Sequence, residues 1–362
     1  MFAQAVRDGL GQDGQKSLPP TYLYDALGST LFDAITLLPE YGVTRAEERV
    51  LIRHAARIAT QVRASTPRTK ALRVVELGSG SGRKTRTLLQ ALTREGPVHY
   101  TPIDVSGAAL AQCAQALSDL PGVTIQPFEG DYLDGLTQIG RERAQADRGE
   151  PSHRQTSGQD GQPEDASHEK AAVALHEAQG DVSARLARDL RGAPMLVLFL
   201  GSTIGNFPRL AAQRFMMALR SGMRAGDALL LGTDLLKPID TLLHAYDDPT
   251  GVTAAFNLNV LGRINRELQG DFVLPSFEHV ARFNPQARSV EMHLRAKTRQ
   301  RVNVAAASLQ AAFLEGETIW TESSHKYLPD EVVRMGRDAR YDVVDQWTDE
   351  TWPFAETLMA VH

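Results

Sequence analysis

The chain is poor in cysteine, in clustered positive charge and in long apolar runs, and each shortage excludes a class of protein. Cys113 is the single cysteine among 362 residues, which excludes an internal disulfide and predicts a packing role in a helix. A formal net charge of -5, without a basic face, argues against non-specific nucleic-acid binding. No apolar run is long enough to cross a membrane, and the N-terminus lacks the basic-then-apolar order of a signal peptide. We therefore expect a cytoplasmic protein without a membrane or nucleic-acid partner.

A glycine-rich loop is the feature around which the sequence is organised. Leu72–Leu77 predicts a buried strand, Gly78, Gly80 and Gly82 follow at every second position, and an amphipathic helix begins at Thr85. Glycines let the backbone turn sharply and approach a ligand, and the helix start offers free N–H groups to it. The pattern is typical of the first, ligand-binding crossover of a Rossmann-like sheet.

The spacing of these glycines helps to choose the ligand. Dinucleotide enzymes usually carry G-x-G-x-x-G, whereas this chain has G-x-G-x-G with Glu76 two residues before the first glycine. A carboxylate would be repelled by a pyrophosphate but can be accommodated near the cationic amino-acid end of S-adenosylmethionine. An ordinary strand-to-helix turn stays an alternative for a single loop of this kind.

Two later strand ends carry acids that suit a nucleoside. The second strand ends in Asp104, and an acid there accepts hydrogen bonds from ribose hydroxyls in nucleoside-binding sheets. The alternative is that Asp104 caps the next helix, which Ser106 could do by itself. A third strand, Val123–Phe128, leads to Asp131 and Tyr132, which could bind the exocyclic amine of adenine and pack on its ring. A loop acid beside a core tyrosine is the alternative there.

The rest of the pattern predicts further parallel strands and then a different domain. Met195–Leu200 and Ala228–Thr233 are apolar, as in central parallel strands, and Asn206 follows the first of them at the ligand end of the sheet. Alternating stretches between Phe277 and Val304 predict an antiparallel meander, which is foreign to a doubly wound sheet. A hairpin at Tyr341–Val361 ends the chain, as in class I methyltransferases rather than dehydrogenases.

We therefore predict an α/β fold: a Rossmann-like class I methyltransferase domain with a second, α+β domain that binds the substrate. The substrate domain comprises residues 1–45 and 238–326, and the methyltransferase domain comprises residues 46–237 and 327–362. Residues 141–181 are mostly polar and are interpreted as a flexible surface insertion. Its three histidines lack partners at ligand spacing, so we expect no metal.

Several motifs in a fixed order resemble the histidine-specific Nα-methyltransferases of ergothioneine biosynthesis. The resemblance extends from about Leu18 to the C-terminus, except for the polar insertion. The motifs are Tyr24-Asp25 with Gly28-Ser29, Leu38-Pro39-Glu40-Tyr41 with Thr44-Arg45, Glu76-Leu77-Gly78-Ser79-Gly80, Gly201-Ser202-Thr203-Ile204-Gly205-Asn206, and Thr321-Glu322 with Ser324 and Lys326.

This resemblance implies transfer of methyl groups from S-adenosylmethionine to the α-amino nitrogen of L-histidine, up to the trimethylated product hercynine. The implied contacts of the methyl donor are Tyr24, Gly78, Lys84, Asp104, Asp131 and Tyr132. Tyr24 would also lie near the reacting amine and serve as the catalytic residue. The implied contacts of histidine are Asn206 and Tyr246 at the carboxylate, Tyr41, Glu322 and Ser324 at the imidazole, and Phe32 and Met292 around the ring.

Glu322 and Ser324 also have a physical argument of their own. They are two residues apart on a predicted strand and therefore project to the same side. A carboxylate at one ring nitrogen and a hydroxyl at the other would accept imidazole and reject side chains of similar size. Composition alone favours a surface or salt-bridged Glu322, and its place in the motif reverses that preference.

The chain departs from the family pattern beside two of these residues. Gly42-Val43 stands where Tyr-Pro is common, and His325-Lys326-Tyr327 stands where Ala-Lys-Phe is usual. Both departures bear on the shape of the substrate pocket and not on methyl transfer. A related enzyme that methylates another amino acid, such as tryptophan, is one alternative, although a carboxylate facing an indole is costly unless paired with its single N–H. A regulatory S-adenosylmethionine-binding module and a dehydrogenase are the others. We expect a monomer.

Overall fold

The structure, a computed structural model, describes residues 1–64, 70–148, 190 and 192–362 of the chain. It contains two compact units. Unit 1 comprises Met1–His54, Phe199–Ala218 and Leu230–Met359, and unit 2 comprises Ala55–Leu198, Leu219–Leu229 and Ala360–His362. The predicted substrate and methyltransferase domains have other boundaries and stay a prediction.

The described helices are α1 (Phe2–Leu10), α2 (Ala26–Leu37), α3 (Val43–Arg63), α4 (Thr85–Arg94), α5 (Gly107–Leu117), α6 (Tyr132–Arg148), α7 (Arg209–Ser221), α8 (Ile239–Tyr246), α9 (Val252–Leu268) and α10 (Pro329–Asp338). The described strands are β1 (Lys16–Ser17), β2 (Leu72–Leu77), β3 (Val98–Asp104), β4 (Val123–Ile125), β5 (Phe128–Glu129), β6 (Met195–Phe199), β7 (Ala228–Asp234), β8 (Phe277–Asn284), β9 (Ser289–Ala296), β10 (Gln300–Val304), β11 (Leu309–Phe313), β12 (Thr318–His325), β13 (Asp342–Asp349) and β14 (Phe354–Ala360). No described helix is both long and apolar enough to span a membrane.

Unit 2 is built on parallel strands in the order β6-β2-β3-β4. Every residue of β2 and β6 is buried, as expected for apolar strands covered on both faces. The predicted third strand is divided into β4 and β5, and both pieces pair with β3. Pro127 lies at the break, where a residue without an N–H cannot continue the ladder.

The predicted flexible insertion is wrong for residues 141–148, because they continue helix α6. Arg143 is only 6% exposed there, and its guanidinium donates to both carboxylate oxygens of Asp227 at 2.7 and 2.9 Å. Asp227 also accepts from the backbone N–H of Met195. A buried ion pair thus anchors a polar segment that composition alone assigned to the surface. The remainder of the predicted insertion, from residue 149 onwards, lies outside the described residues.

Unit 1 contains a four-stranded sheet in the order β1-β12-β9-β8. β9 is antiparallel to both β8 and β12, and β1 is parallel to β12. The predicted meander is therefore right for β8 and β9 and wrong for β10, which forms a separate antiparallel pair with β11. Because β8 and β12 occupy both edges of β9, β9 has no edge left for β10.

The end of the chain adds strands to unit 1 in the order β13-β14-β7. The last strand in the sequence, β14, thus lies between two earlier ones. This arrangement confirms the predicted Rossmann-like α/β fold with a terminal hairpin.

Candidate active site

The residues predicted to contact the substrate ring meet on one face of the four-stranded sheet in unit 1. The pairing of β12 with β9 shifts between Trp320 and Glu322, and from there Glu322 pairs with Met292 and Ser324 with Val290. Facing residues of an antiparallel pair project to the same side, so Met292 packs beside the Glu322 carboxylate. Both are buried, with 7% of Glu322 and 2% of Met292 exposed.

Aromatic rings surround this face, and they come from distant parts of unit 1. The centroid distances are 5.5 Å for Tyr24 and Phe32, 6.3 Å for Phe32 and Tyr41, and 6.1 Å for Tyr41 and Tyr246, all edge to face. Phe256 on α9 completes the cluster at 5.3 Å from Tyr24. Phe256 does not stand out in the sequence, since its spacing on an apolar helix face does not distinguish it from other core residues.

The Glu322 carboxylate accepts a hydrogen bond from a hydroxyl and has a raised pKa. The Tyr24 hydroxyl donates to its Oε1 at 3.3 Å. Burial raises the pKa of Glu322 to about 7, although the Tyr24 hydrogen bond and the charge of Lys326 act in the opposite direction. The carboxyl group thus titrates near neutral pH.

A lysine joins the two predicted hydroxyl contacts. The Tyr246 hydroxyl donates to Ser324 Oγ at 2.8 Å, and Lys326 Nζ donates to both oxygens at 2.8 Å. Burial raises the pKa of Tyr246 above its ordinary value, and it does the same for Tyr41. Both phenols therefore keep their protons at neutral pH.

The buried Asp234 carboxylate forms ion pairs with two lysines, Lys326 and Lys237. Lys326 Nζ lies 2.8 Å from its Oδ2 and Lys237 Nζ lies 2.6 Å from its Oδ1. The Trp352 indole N–H donates to the same Oδ1 at 3.0 Å. Burial alone would raise the pKa of Asp234, but the two lysine charges outweigh it and the pKa is lowered. Burial lowers the pKa of Lys237 to about 8.

The loop after β6 carries Asn206. Its side chain is partly exposed and makes no hydrogen bond to any residue that the structure describes, so it is available to a ligand. His325 Nδ1 lies 2.9 Å from the carbonyl oxygen of Gly205, which it binds as an N–H donor. The His325 departure from the family pattern therefore fastens this loop to β12.

The Gly42 departure also has a physical reason. A Cβ at this position would lie 2.2 Å from the Trp352 ring. The indole thus occupies the room that a side chain would need, next to Tyr41.

The predicted contacts of the methyl donor lie in unit 2, except for Tyr24. Gly78 has φ +73°, and a Cβ there would lie 2.8 Å from Tyr132 Oη. The carboxylate of Asp104 accepts from the N–H groups of Gly80 at 3.1 Å and Ser106 at 3.0 Å. Ser106 itself caps α5, so the helix-cap alternative for Asp104 is wrong.

Two further predicted contacts surround this loop. Asp131 is exposed, and its Oδ1 accepts from the N–H of Asp134 at 2.8 Å, which caps α6. Lys84 is partly exposed and directly precedes α4. The glycine loop is thus bordered by an acid, an aromatic ring and a lysine.

Glu76 differs from its expected position beside the cationic end of the donor. It is only 1% exposed and accepts hydrogen bonds from Thr85 and Tyr100, so it fixes the loop to the start of α4. Cys113 is buried behind the loop, and a Cβ at Gly82 would lie 2.6 Å from its sulfur. The packing role predicted for Cys113 is confirmed. The described residues contain no grouping of histidine, cysteine and acids that could hold a metal ion.

One family model and several known proteins are similar to this chain over most of its length. A family model described as a histidine-specific, S-adenosylmethionine-dependent methyltransferase matches residues 2–150 and 164–361. Histidine N-alpha-methyltransferase of Mycobacterium tuberculosis is 40% identical over 357 residues, which cover 98% of this chain and 93% of that protein. The protein of the same name from Mycolicibacterium smegmatis is 38% identical, with 98% and 92% covered. Ergothioneine biosynthesis protein 1 of Neurospora crassa is 26% identical over 93% of this chain and 32% of that longer protein.

Proposed function

Because this chain belongs to the family of S-adenosylmethionine-dependent, histidine-specific methyltransferases, we propose that it methylates the α-amino nitrogen of L-histidine. Repeated transfer yields the trimethylated product hercynine, within ergothioneine biosynthesis. The observation that carries the choice of substrate is the pair formed by Glu322 and Ser324, buried side by side on one strand.

The ring of histidine would be read by this pair. The Glu322 carboxylate accepts from a ring N–H, while the Ser324 hydroxyl bonds the other nitrogen. Met292, Phe32 and Tyr41 would pack around the ring. A site with polar groups at both nitrogens rejects a ring that lacks one of them, because a buried group is then left unpaired.

The amino-acid end would be held by groups from two elements. The Asn206 amide is available for a carboxylate. The contact of Tyr246, at the end of α8, with the carboxylate stays a prediction, because its hydroxyl donates to Ser324. Tyr24 would border the amine, with its hydroxyl also bonded to Glu322. These contacts orient the amine, and orientation is the main contribution of such a site when the methyl donor is already activated.

The residues of unit 2 suit S-adenosylmethionine. Gly78 keeps a backbone position open that a side chain would close against Tyr132, as a closely approaching ligand requires. Asp104 would bind the ribose, Asp131 and Tyr132 the adenine, and Lys84 the amino-acid portion. When bound, the donor supplies a methyl group on a sulfonium. The contact of Tyr24 with it stays a prediction.

The chain's own part in the chemistry is modest. The amine must be neutral to attack, and its proton passes to solvent, while a neighbouring tyrosine oxygen accepts a hydrogen bond from the amine. Tyr24 has a hydroxyl that already donates to Glu322, so it offers the amine an oxygen acceptor. Each transfer removes an N–H group, so the amine must be held without depending on all of its hydrogen bonds.

The test is to incubate the protein with S-adenosylmethionine and each amino acid separately and to weigh the products. Histidine should gain up to three methyl groups, and tryptophan should gain none because Glu322 and Met292 border the ring. Methylation of another amino acid but not histidine would contradict the proposal. Binding of the donor without any product would instead indicate a regulatory module.

We also propose a cytoplasmic location and a monomeric state. The sequence supports the first through its single cysteine. Light scattering during gel filtration measures the second, and a mass of twice 39.6 kDa would contradict it.

A further inference from the structure

Lys326 is buried at the centre of the substrate cluster, although it is not among the residues assigned to the substrate. None of its surface is exposed, and its ammonium pairs with Asp234. Its other two contacts are the hydroxyl oxygens of Tyr246 and Ser324, each at 2.8 Å. An ammonium has three N–H donors and no acceptor, so both hydroxyls must accept from it.

This arrangement limits what the two hydroxyls can do. Their oxygens are 2.8 Å apart, and Tyr246 donates to Ser324. Ser324 Oγ then accepts two hydrogen bonds, one from Lys326 and one from Tyr246, which occupy both of its lone pairs. The Ser324 hydroxyl proton can then be donated only to a third group, such as a bound ring. If the hydrogen bond between the hydroxyls ran the other way, the one remaining proton would belong to Tyr246, and the pair would still be a donor.

Glu322 has the opposite character on the same face. In its ionised form the Glu322 carboxylate only accepts, and Glu322 lies two residues before Ser324 on β12. The ring between them thus meets one acceptor and one donor. A neutral imidazole, with one N–H and one unprotonated nitrogen, matches both, whereas an imidazolium presents a second N–H to the Ser324 proton.

We propose that Lys326 is a positioning residue that makes the hydroxyl pair of Tyr246 and Ser324 an obligate hydrogen-bond donor, so that the site selects the neutral imidazole in one tautomer. The inference rests on the proposed function, since it concerns the recognition of the same ring. Asp234 holds the ammonium in place, and Lys237 and the Trp352 indole occupy the other carboxylate oxygen of Asp234.

The test compares Lys326→Met with Lys237→Met, because both remove a lysine from Asp234 and only the first removes a donor to the hydroxyls. The substrates are histidine and the two pyrrolylalanines, in which one ring nitrogen is replaced by C–H. The unmodified protein should prefer histidine over the better pyrrolylalanine by at least about 100-fold in kcat/KM. Lys326→Met should reduce this preference to about tenfold or less, since the hydroxyl pair is free to rotate.

Lys237→Met should leave the preference within about twofold of the unmodified value, whatever its effect on the rate. The proposal is overturned if Lys326→Met leaves the preference unchanged, or if both variants change it equally. The proposed function fails separately, when the unmodified protein does not methylate histidine.

If Lys326→Met does not fold, a measurement on the unmodified protein tests whether the site selects the neutral imidazole. Histidine labelled with ¹⁵N in the ring is bound together with S-adenosylhomocysteine, and the two ring nitrogens are observed by NMR. One protonated and one unprotonated nitrogen are expected at pH 8, where Glu322 is ionised. Two protonated nitrogens would overturn the proposal.

Discussion

The Tyr24 hydroxyl lies 3.3 Å from the Glu322 carboxylate, although 298 residues separate them in the chain. The motif that contains Tyr24 thus contacts the motif that contains Glu322 within unit 1. Tyr24, predicted to border the reacting amine, is thereby hydrogen-bonded to the residue predicted to read the ring. A change in Glu322 therefore affects both the fit of the ring and the orientation of Tyr24.

Replacement of Glu322 should impair the use of histidine far more than the binding of the methyl donor. For Glu322→Ala we expect kcat/KM for histidine to fall at least about 100-fold, because a charged hydrogen bond to the ring is lost. Calorimetry should give an unchanged affinity for S-adenosylhomocysteine. Glu278→Ala on β8 is the matched control, since that carboxylate is partly exposed and pairs with Arg295. Equal losses of histidine use and of S-adenosylhomocysteine affinity would contradict a role of Glu322 in binding the imidazole ring.

The acidity of Glu322 predicts a pH-dependent stability difference. Its pKa is raised from the usual 4.5 to about 7, so the folded chain binds this proton more tightly than the unfolded chain between these values and loses stability as pH rises through them. Glu322→Gln removes the free-energy cost of a buried ionised carboxylate. The variant should therefore be more stable than the unmodified protein by up to about 3 kcal/mol at pH 8. At pH 4 the two should be nearly equal. Urea unfolding at both pH values measures this, and a difference independent of pH would contradict it.

The contact between Gly42 and Trp352 predicts a steric coupling. Gly42→Ala would bring a Cβ to 2.2 Å from the indole and should lower the free energy of unfolding by about 1 to 3 kcal/mol. It should also raise KM for histidine, since Tyr41 is the neighbouring residue. In a chain that already carries Trp352→Ala, the same change should cost much less, and thermal unfolding of the four proteins tests this. Additive effects would mean that the two positions are independent.

Gly78 and Gly80 provide a matched pair for the donor site. Both have positive φ, but only at Gly78 would a Cβ meet a neighbour, the Tyr132 hydroxyl at 2.8 Å. Gly78→Ala should weaken S-adenosylhomocysteine binding by about tenfold or more, and Gly80→Ala should weaken it less, through backbone strain alone. Titration calorimetry of both variants provides the comparison. A larger loss at Gly80 would show that the space beside Tyr132 is unimportant.

The sequence was most informative where apolar runs and glycines mark the boundaries of elements. The end of β3 at Asp104 was predicted because a helix cap, Ser106, follows it in the sequence. The strand carrying Glu322 was likewise expected. These features depend on neighbours in the chain, which a sequence displays directly.

Pairings between distant segments could not be predicted in the same way. The bond between Arg143 and Asp227 joins residues 84 apart, so the helix it anchors looked like a polar insertion. Lys326 belongs to a recognised motif, yet its role depends on Asp234 and Tyr246, which precede it by 92 and 80 residues. The alternation of residues 322, 324 and 326 was the one available signal that Lys326 shares a face with the others.

The alternation of residues 322, 324 and 326 limits which mutations can change the substrate preference of the site during evolution. Glu322, Ser324 and Lys326 occupy every second position from the shift in β12 pairing that follows Trp320. Loss or gain of one residue in this segment would turn all three to the opposite face of the sheet together. New substrate preferences are therefore accessible by exchange of single side chains at constant strand length, while insertions and deletions in β12 would abolish recognition altogether.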